Sequence, residues 1–280
     1  MTMKRIAAIT MVRNDDFFLR RWVAYYGAQL GREHLYVIFD GLDQKVPEFC
    51  SGVNVELVEH VAGNVHEADR GRIDLVSARA AKLFGRYDMV IGTDVDEFLI
   101  ADPLCGMSLG EFLSRVETRL PSISGLGVDV GQKIGEEDAV DPELPFLSQR
   151  SYAKLSTRYS KTSVLLRPVA WGSGFHRTRR GNFHIVKDLY LFHFGCVDLG
   201  RIRAKMDDGE LAAAGWTRHL RKRAGTIFLV SNSKALDWEK TVERARLVQN
   251  LVRPPYAWNK PAMFEARIVV RIPRRFAGLV

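Results

Sequence analysis

The residues best suited to do chemistry are Asp94, Asp96 and Glu97, in Asp94-Val95-Asp96-Glu97-Phe98, directly after the apolar run YDMVIGT at 87–93. Two carboxylates two residues apart at a strand end can reach one hard divalent cation, and such a cation bridges and neutralises phosphate oxygens. Glu97 adds a third acid and Phe98 an apolar anchor; the competing reading is a surface loop with incidental acids. Arg13-Asn14 and the turn Asp40-Gly41-Leu42-Asp43 also follow apolar runs. The acidic loop GEEDAVDPELP (135–145) offers Glu136, Glu137, Asp138 and Asp141 as carboxylates for proton transfer, against a plain solvated loop. Lys161, Arg177, Arg179 and Arg180 are cations able to steer a diphosphate. His176, in WGSGFH, is read either as a phosphate or acceptor contact or as a loop cap, and Trp171 before it is a candidate for stacking on a sugar.

These residues need elements to hold them. RIAAITMV (5–12), HLYVIFD (34–40), VNVELVE (53–59) and YDMVIGT (87–93) are short apolar runs rich in β-branched and aromatic residues, the pattern of buried strands. Phe18, Trp22, Tyr25 and Tyr26 recur at helical spacing and read as core, with Asn14, Asp15 or Asp16 as cap and Gly31 as stop. Residues 68–83 and 108–120 read as helices, and 123–130, 161–171 and 189–195 as strands. Alternating strands and helices predict βαβ units and a mostly parallel sheet. Ligands of such sheets collect at the carboxyl ends of the strands, where Arg13-Asn14, Asp40 and the Asp94/Asp96 pair all fall.

The 280 residues are 46% hydrophobic, 26% charged and 10% aromatic, which excludes disordered, collagen-like and coiled-coil classes. Cys50, Cys105 and Cys196 form no C-x-x-C pair, so a disulfide framework or Cys-rich zinc site is not expected and a reducing cytoplasm is. The run Ile6–Val12 is too short for a secretory signal, and no stretch approaches a transmembrane length. The net charge of +8 is uneven: residues 201–280 carry 17 Lys and Arg against 7 Asp and Glu, a balance of +10, leaving −2 for the first 200. Basic groups concentrate in RHLRKR (218–223) and in the tail ARIVVRIPRRFAGLV (266–280). This suggests either peripheral contact with an anionic membrane or a solvated helical face; nucleic acid is the disfavoured partner.

MVRNDDFFLRRWVAYYGAQLGREHLYVIFDGLDQ, followed by YDMVIGTDVDEFLI, resembles a glycosyltransferase of the GT-A superfamily. The nearer resemblance is to the family-2-like bacterial group with a V-[RK]-N-[ED]…W opening and a D-x-D-E-F motif. It covers about residues 5–195, most specifically the first 100. It implies a Rossmann-like mixed sheet flanked by helices over 1–200, with a basic, mainly helical extension over 201–280 packed on it. It implies metal-dependent transfer, by inversion, of a sugar from a nucleotide diphosphate sugar to a glycan or lipid-linked hydroxyl. By that resemblance Asp94 and Asp96 bind Mn²⁺ or Mg²⁺ with His193 as a late third ligand, a competent donor beside two carboxylates. Arg13, Asn14, Asp40, Asp43, Arg70, Asp94 and His176 fall to the nucleotide sugar, and Glu137-Asp138 are the weakest match, to the catalytic base. The Gly-Leu-Asp turn at 41–43 departs from the S-x-D common in relatives. Two rivals stand beside this reading. One is a D-x-D phosphatase of the haloacid dehalogenase type with Asp94 as nucleophile; Asp207-Asp208 gives it little support. The other is a non-catalytic carbohydrate or nucleic-acid binding module using the basic C-terminus.

Overall fold

The computed structural model describes residues 3–61, 63, 65–207, 217–263 and 267–280, with the side chains of 65–66 and 217–223 outside the description. Asp208, the side chains of the basic run 218–223 and the first tail residue therefore lie outside the described residues.

Three strands, β1 (Ile6–Val12), β2 (Leu35–Asp40) and β3 (Asn54–Val58), run parallel, and β4 (Met89–Gly92) joins β1 on its other side. Every residue of β1 is buried, as expected of a strand covered on both faces. Alternation along β1 sends Ala8 and Val12 to the face of helix α1 (Asp16–Leu30), and Ile9 and Met11 to that of α2 (Val65–Leu83). Asp15 caps α1.

The second half is mostly antiparallel. It contains β5 (Glu97–Ala101), helix α3 (Leu109–Arg115), β6 (Ser122–Gly131), the one-turn α4 (Phe146–Gln149), β7 (Tyr152–Leu155), β8 (Val164–Leu165) and β9 (Ile185–Cys196). Helices α5 (Leu199–Met206), α6 (Thr217–Asn232) and α7 (Trp238–Leu251) follow, and β10 (Val269–Arg271) closes the series. Among the described residues, one ten-stranded sheet has the order β10-β7-β6-β8-β4-β1-β2-β3, with β9 paired to both β6 and β5. This is a mixed α/β sheet flanked by helices, as the resemblance implies and less parallel than the strand–helix alternation alone predicts, with a helical C-terminal segment.

Several local expectations change. The helix expected over 108–120 covers only 109–115, held by a Ser108–Glu111 capping box and followed by extended Val116. The strand expected over 161–171 shrinks to two residues, because Trp171 turns inward and donates its indole Nε1 to the Thr162 carbonyl at 2.7 Å. Trp171 is fully buried with its ring against Gly92, where a Cβ would lie 2.5 Å from it, so Trp171 is core and offers no stacking face. The tail is built into the fold: β10 pairs antiparallel with β7, and Val269, Val270, Ile272 and Phe276 are buried. Among the described residues, no helix is long and apolar enough to cross a membrane.

Candidate active site

Helix α1 braces the acidic motif from below. Trp22 Nε1 donates to Thr93 Oγ1 at 2.9 Å, and the Leu99 amide donates to Tyr26 Oη at 2.9 Å. Tyr25 donates to the Leu99 carbonyl at 2.8 Å, and Tyr26 stacks on Phe98. The aromatic helix thus acts from the core, as its spacing predicts, and holds the chain on both sides of Asp94–Phe98.

Strand register then assembles the site. Glu97 of β5 pairs with His193 of β9, and His193 pairs in turn with Asp129 of β6. His193 Nδ1 lies 2.6 Å from Asp129 Oδ1, and Asp129 Oδ2 accepts from Thr226 of α6 at 2.7 Å. The other ring nitrogen, Nε2, lies 3.3 Å from Asp96 Oδ2 and, among the described residues, makes no directed hydrogen bond. Tyr159 stacks on the imidazole with ring centroids 3.8 Å apart.

Two cations meet Asp94. Arg72 Nη1 donates to Oδ1 at 2.6 Å, and Lys161 Nζ donates to Oδ2 at 2.9 Å. Lys161 Nζ also lies 2.6 Å from Glu97 Oε1, so one buried ammonium joins two carboxylates. Gly127 makes this delivery possible. Its amide donates to Ser160 Oγ at 2.9 Å, and a Cβ there would lie 2.2 Å from the Ser156 carbonyl oxygen. The 156–161 loop can therefore press on β6 and carry Tyr159 and Lys161 inward.

The charges respond to burial. Burial opposes ionisation of Asp94, but Arg72 and Lys161 overcome it and hold the carboxyl well below the usual range. Glu97 is pushed up to about 7, chiefly by burial, which outweighs Lys161. Burial would make Lys161 less basic, yet Asp94 and Glu97 raise it above the ordinary lysine value. His193 is likewise raised to about 9: burial works against the imidazolium, and Asp96 and Asp129 prevail.

These residues fit a divalent metal by donor chemistry. Oxygens of Asp94, Asp96 and Glu97 lie within 4.8 Å of one another, and His193 turns its undirected Nε2 toward Asp96. Its Nδ1 rests on a carboxylate, the arrangement that orients metal-binding imidazoles. A metal entering here would displace the imidazolium proton and share Asp94 with Arg72 and Lys161.

The other expected residues occupy four places. Arg13, Asn14, Asp40 and Asp43 gather at the adjoining carboxyl ends of β1 and β2. Arg13 donates to the Asp40 carbonyl at 2.7 Å and reaches both Asp43 oxygens at 3.1 and 3.2 Å, which lowers the Asp43 pKa. Asn14 sits at φ 51 with its amide on Gln44 Oε1, and Asp40 accepts from the Val61 amide and faces His60 at 3.1 Å. His176 lies beside the carboxylate cluster; burial, then Lys161, Arg158 and Lys260, lowers its pKa to about 3 and keeps it neutral. Arg70 lines a neighbouring cleft, while Arg72, two residues on, reaches Asp94. In the fourth place, Glu137 accepts the Lys133 and Ser151 amides on its two oxygens, and Asp138 is exposed beside it.

Sequence reasoning missed Arg72, Asp129, Tyr159 and Thr226. Asp129 had a signal, an acid inside the otherwise apolar SISGLGVDVG. Arg72 is marked only by its place one helical turn after Asp69, with which it pairs at 3.1 Å.

No protein-family model matches the chain, and no curated protein matches it. Among solved structures 148 chains match. One is described as "WbbM bifunctional glycosytransferase apo structure", with 13% identity and a TM-score of 0.26 over 45% of this chain. The match spans 24% of that longer chain. At this level the likeness carries no argument about activity, and the functional reading rests on the residues.

Proposed function

We propose that the protein is a glycosyltransferase that moves a sugar from a nucleotide diphosphate sugar to the hydroxyl of a glycan or lipid-linked acceptor. The observation that carries this reading is the constellation of Asp94, Asp96 and His193 at the carboxyl edge, backed by the half-buried Arg72 and the buried Lys161. In this reading Asp94, Asp96 and His193 hold Mn²⁺ or Mg²⁺, which when bound supplies Lewis-acid neutralisation of the leaving diphosphate.

The chain's own residues do the rest. Asp129 and Tyr159 fix the plane of His193, and Thr226 fixes Asp129. Arg72 and Lys161 keep positive charge where a diphosphate would gain negative charge as its bond to the sugar breaks. Arg13, Asn14, Asp40 and Asp43 take the nucleoside, at the edge shared by β1 and β2. Inversion requires a carboxylate to accept the acceptor's proton. Of Glu137 and Asp138, Asp138 is the candidate, since both Glu137 oxygens already hold backbone amides.

The test is calorimetric titration of UDP and GDP, with and without Mn²⁺, on the parent and on Asp96→Ala. Metal-dependent binding of one nucleotide, lost in the variant, is expected. Binding of neither would sink the proposal, and trapping of an aspartyl-phosphate at Asp94 would favour the phosphatase chemistry instead.

A further inference from the structure

A second recess adjoins the carboxylate cluster, with one turn of chain as their common wall. Residues 171–178 fold back on themselves: Trp171 bridges to Thr178, and the Gly172 amide donates to the Arg177 carbonyl at 2.7 Å. On one side of this turn the Phe175 ring faces Arg72 at 5.7 Å and Lys161 at 5.8 Å, the two cations of the carboxylate site. On the other side Gly172, Ser173 and Arg177 face α2 across a cleft of about 530 Å³.

The cleft lining has a small excess of positive charge. Arg70, Arg177 and Arg179 line it together with the acids Glu67 and Asp74. Arg179 pairs with Asp74, while Arg70 and Arg177 stand exposed. The far wall comes from the turn around Asn259, which is tied to the cleft by donation from its Nδ2 to the Thr178 carbonyl at 2.6 Å. That same turn carries Tyr256 and Trp258, 69% and 77% exposed, and Lys260, whose ammonium sits 4.9 Å from the Tyr256 ring centre.

Exposed rings on the turn that supplies one wall, with guanidinium groups lining the cleft itself, suit a ligand that is both ring-shaped and anionic. The C–H face of a pyranose packs on indole or phenol, and a guanidinium pairs with a carboxylate through two parallel hydrogen bonds. None of Asp94, Asp96, Arg13 or Asp40 lines the cleft, so a ligand there leaves the proposed donor groups free. We propose that this cleft binds an acidic glycan, a pyranose chain bearing carboxylates, with Trp258 and Tyr256 under the sugar rings and Arg70 and Arg177 on the acid groups. This rests on and deepens the transferase reading by naming the acceptor class, but binding itself can be read without nucleotide.

The probe is an α-1,4-linked galacturonate tetramer, titrated calorimetrically in low salt against maltotetraose and inorganic pyrophosphate. The tetramer should bind at least about tenfold more tightly than maltotetraose, and its affinity should fall as NaCl is raised. Arg177→Ala and Arg70→Ala should each weaken it about five- to tenfold, and Trp258→Ala by a similar factor. All three side chains are exposed, so the variants should keep the parent's melting temperature. Equal affinity for acidic and neutral tetramers, or indifference to these substitutions, would overturn the proposal. Pyrophosphate or UDP binding that is lost in Arg70→Ala and Arg177→Ala, with no tetramer binding, would give the cleft to phosphate and overturn it as well. Tetramer binding without any nucleotide binding would keep the glycan cleft and remove the transferase reading.

Discussion

Lys161 is the residue on which the electrostatics of the site turn. Its ammonium joins Asp94 and Glu97 in a buried pocket, so a divalent cation at Asp94 and Asp96 meets an existing positive charge. Lys161→Met should therefore bind Mn²⁺ about tenfold more tightly without nucleotide, as read by the free Mn²⁺ signal in electron paramagnetic resonance. The same variant should lose about 2–4 kcal/mol of stability in urea unfolding, because Glu97 keeps its burial and loses its cation. Unchanged Mn²⁺ affinity would show that the ammonium and the metal do not compete. His176 makes a separate prediction. Its folded pKa of about 3 lies below the ordinary value of 6.5, so the unfolded chain takes up the proton first as pH falls. Its contribution is whole above about pH 6.5 and is lost progressively toward pH 3. With partial exposure taken into account, about 1–2 kcal/mol should be gone by pH 5. His176→Asn should flatten that part of the stability–pH curve; an identical slope would place the acid sensitivity elsewhere.

At the scale of elements, the site depends on two supports that never touch a ligand. Helix α1 holds the acidic motif through Trp22 and Tyr26, and β6 admits the 156–161 loop only because residue 127 lacks a side chain. Gly127→Ala would drive a methyl group into the Ser156 carbonyl and the Ser160 amide, so the loop must retreat. A loss of about 3 kcal/mol is expected, with metal-dependent nucleotide binding weakened in the same variant because Tyr159 and Lys161 retreat with the loop. Full retention of both properties would mean that the loop is not held by this close approach. Trp22→Phe keeps most of the packing and removes the bond to buried Thr93, which should cost about 1–2 kcal/mol in thermal unfolding.

For the molecule as a whole, the C-terminal segment is part of the sheet. Val269 and Val270 extend it through β7, Phe276 sits among Tyr190, Phe192 and Trp238, and Arg275 pairs with buried Asp102 at 2.7 Å. Removing residues 267–280 should therefore lower the unfolding midpoint sharply or prevent folding, seen by circular dichroism. A tail that merely touched a membrane would leave the midpoint unchanged. Contact with anionic lipid, if vesicle flotation shows it, must use exposed cations such as Arg271 while the tail's apolar residues stay in the core.

The chain order of the first half was legible because each strand is a short apolar run ended by a turn and each helix is long and periodic. That local pattern sets β1 to β4, α1 and α2, and places Arg13, Asp40 and Asp94 at one edge through the parallel connections. Asp94 and Asp96 were legible for the same reason, as acids directly after a buried strand. Their partners were legible only in part: Glu97 adjoins the pair, His193 matches it through the family resemblance and Lys161 reads only as a phosphate-steering cation, while Asp129 is not singled out. His193, Asp129, Glu97 and Lys161 are separated by up to 96 residues of chain, and only the pairing of β5, β9 and β6 brings three of them into one row. Antiparallel register is decided by which faces bury together, a property of the packed sheet that no short window carries. Likewise Arg72 rather than Arg70 meets Asp94 because α2's rotation is set by packing of Ile73, Val76 and Ala80 against the sheet. Residue types and local periodicity wrote the elements and the acidic motif, and long-range packing decided which cations and which imidazole would face it.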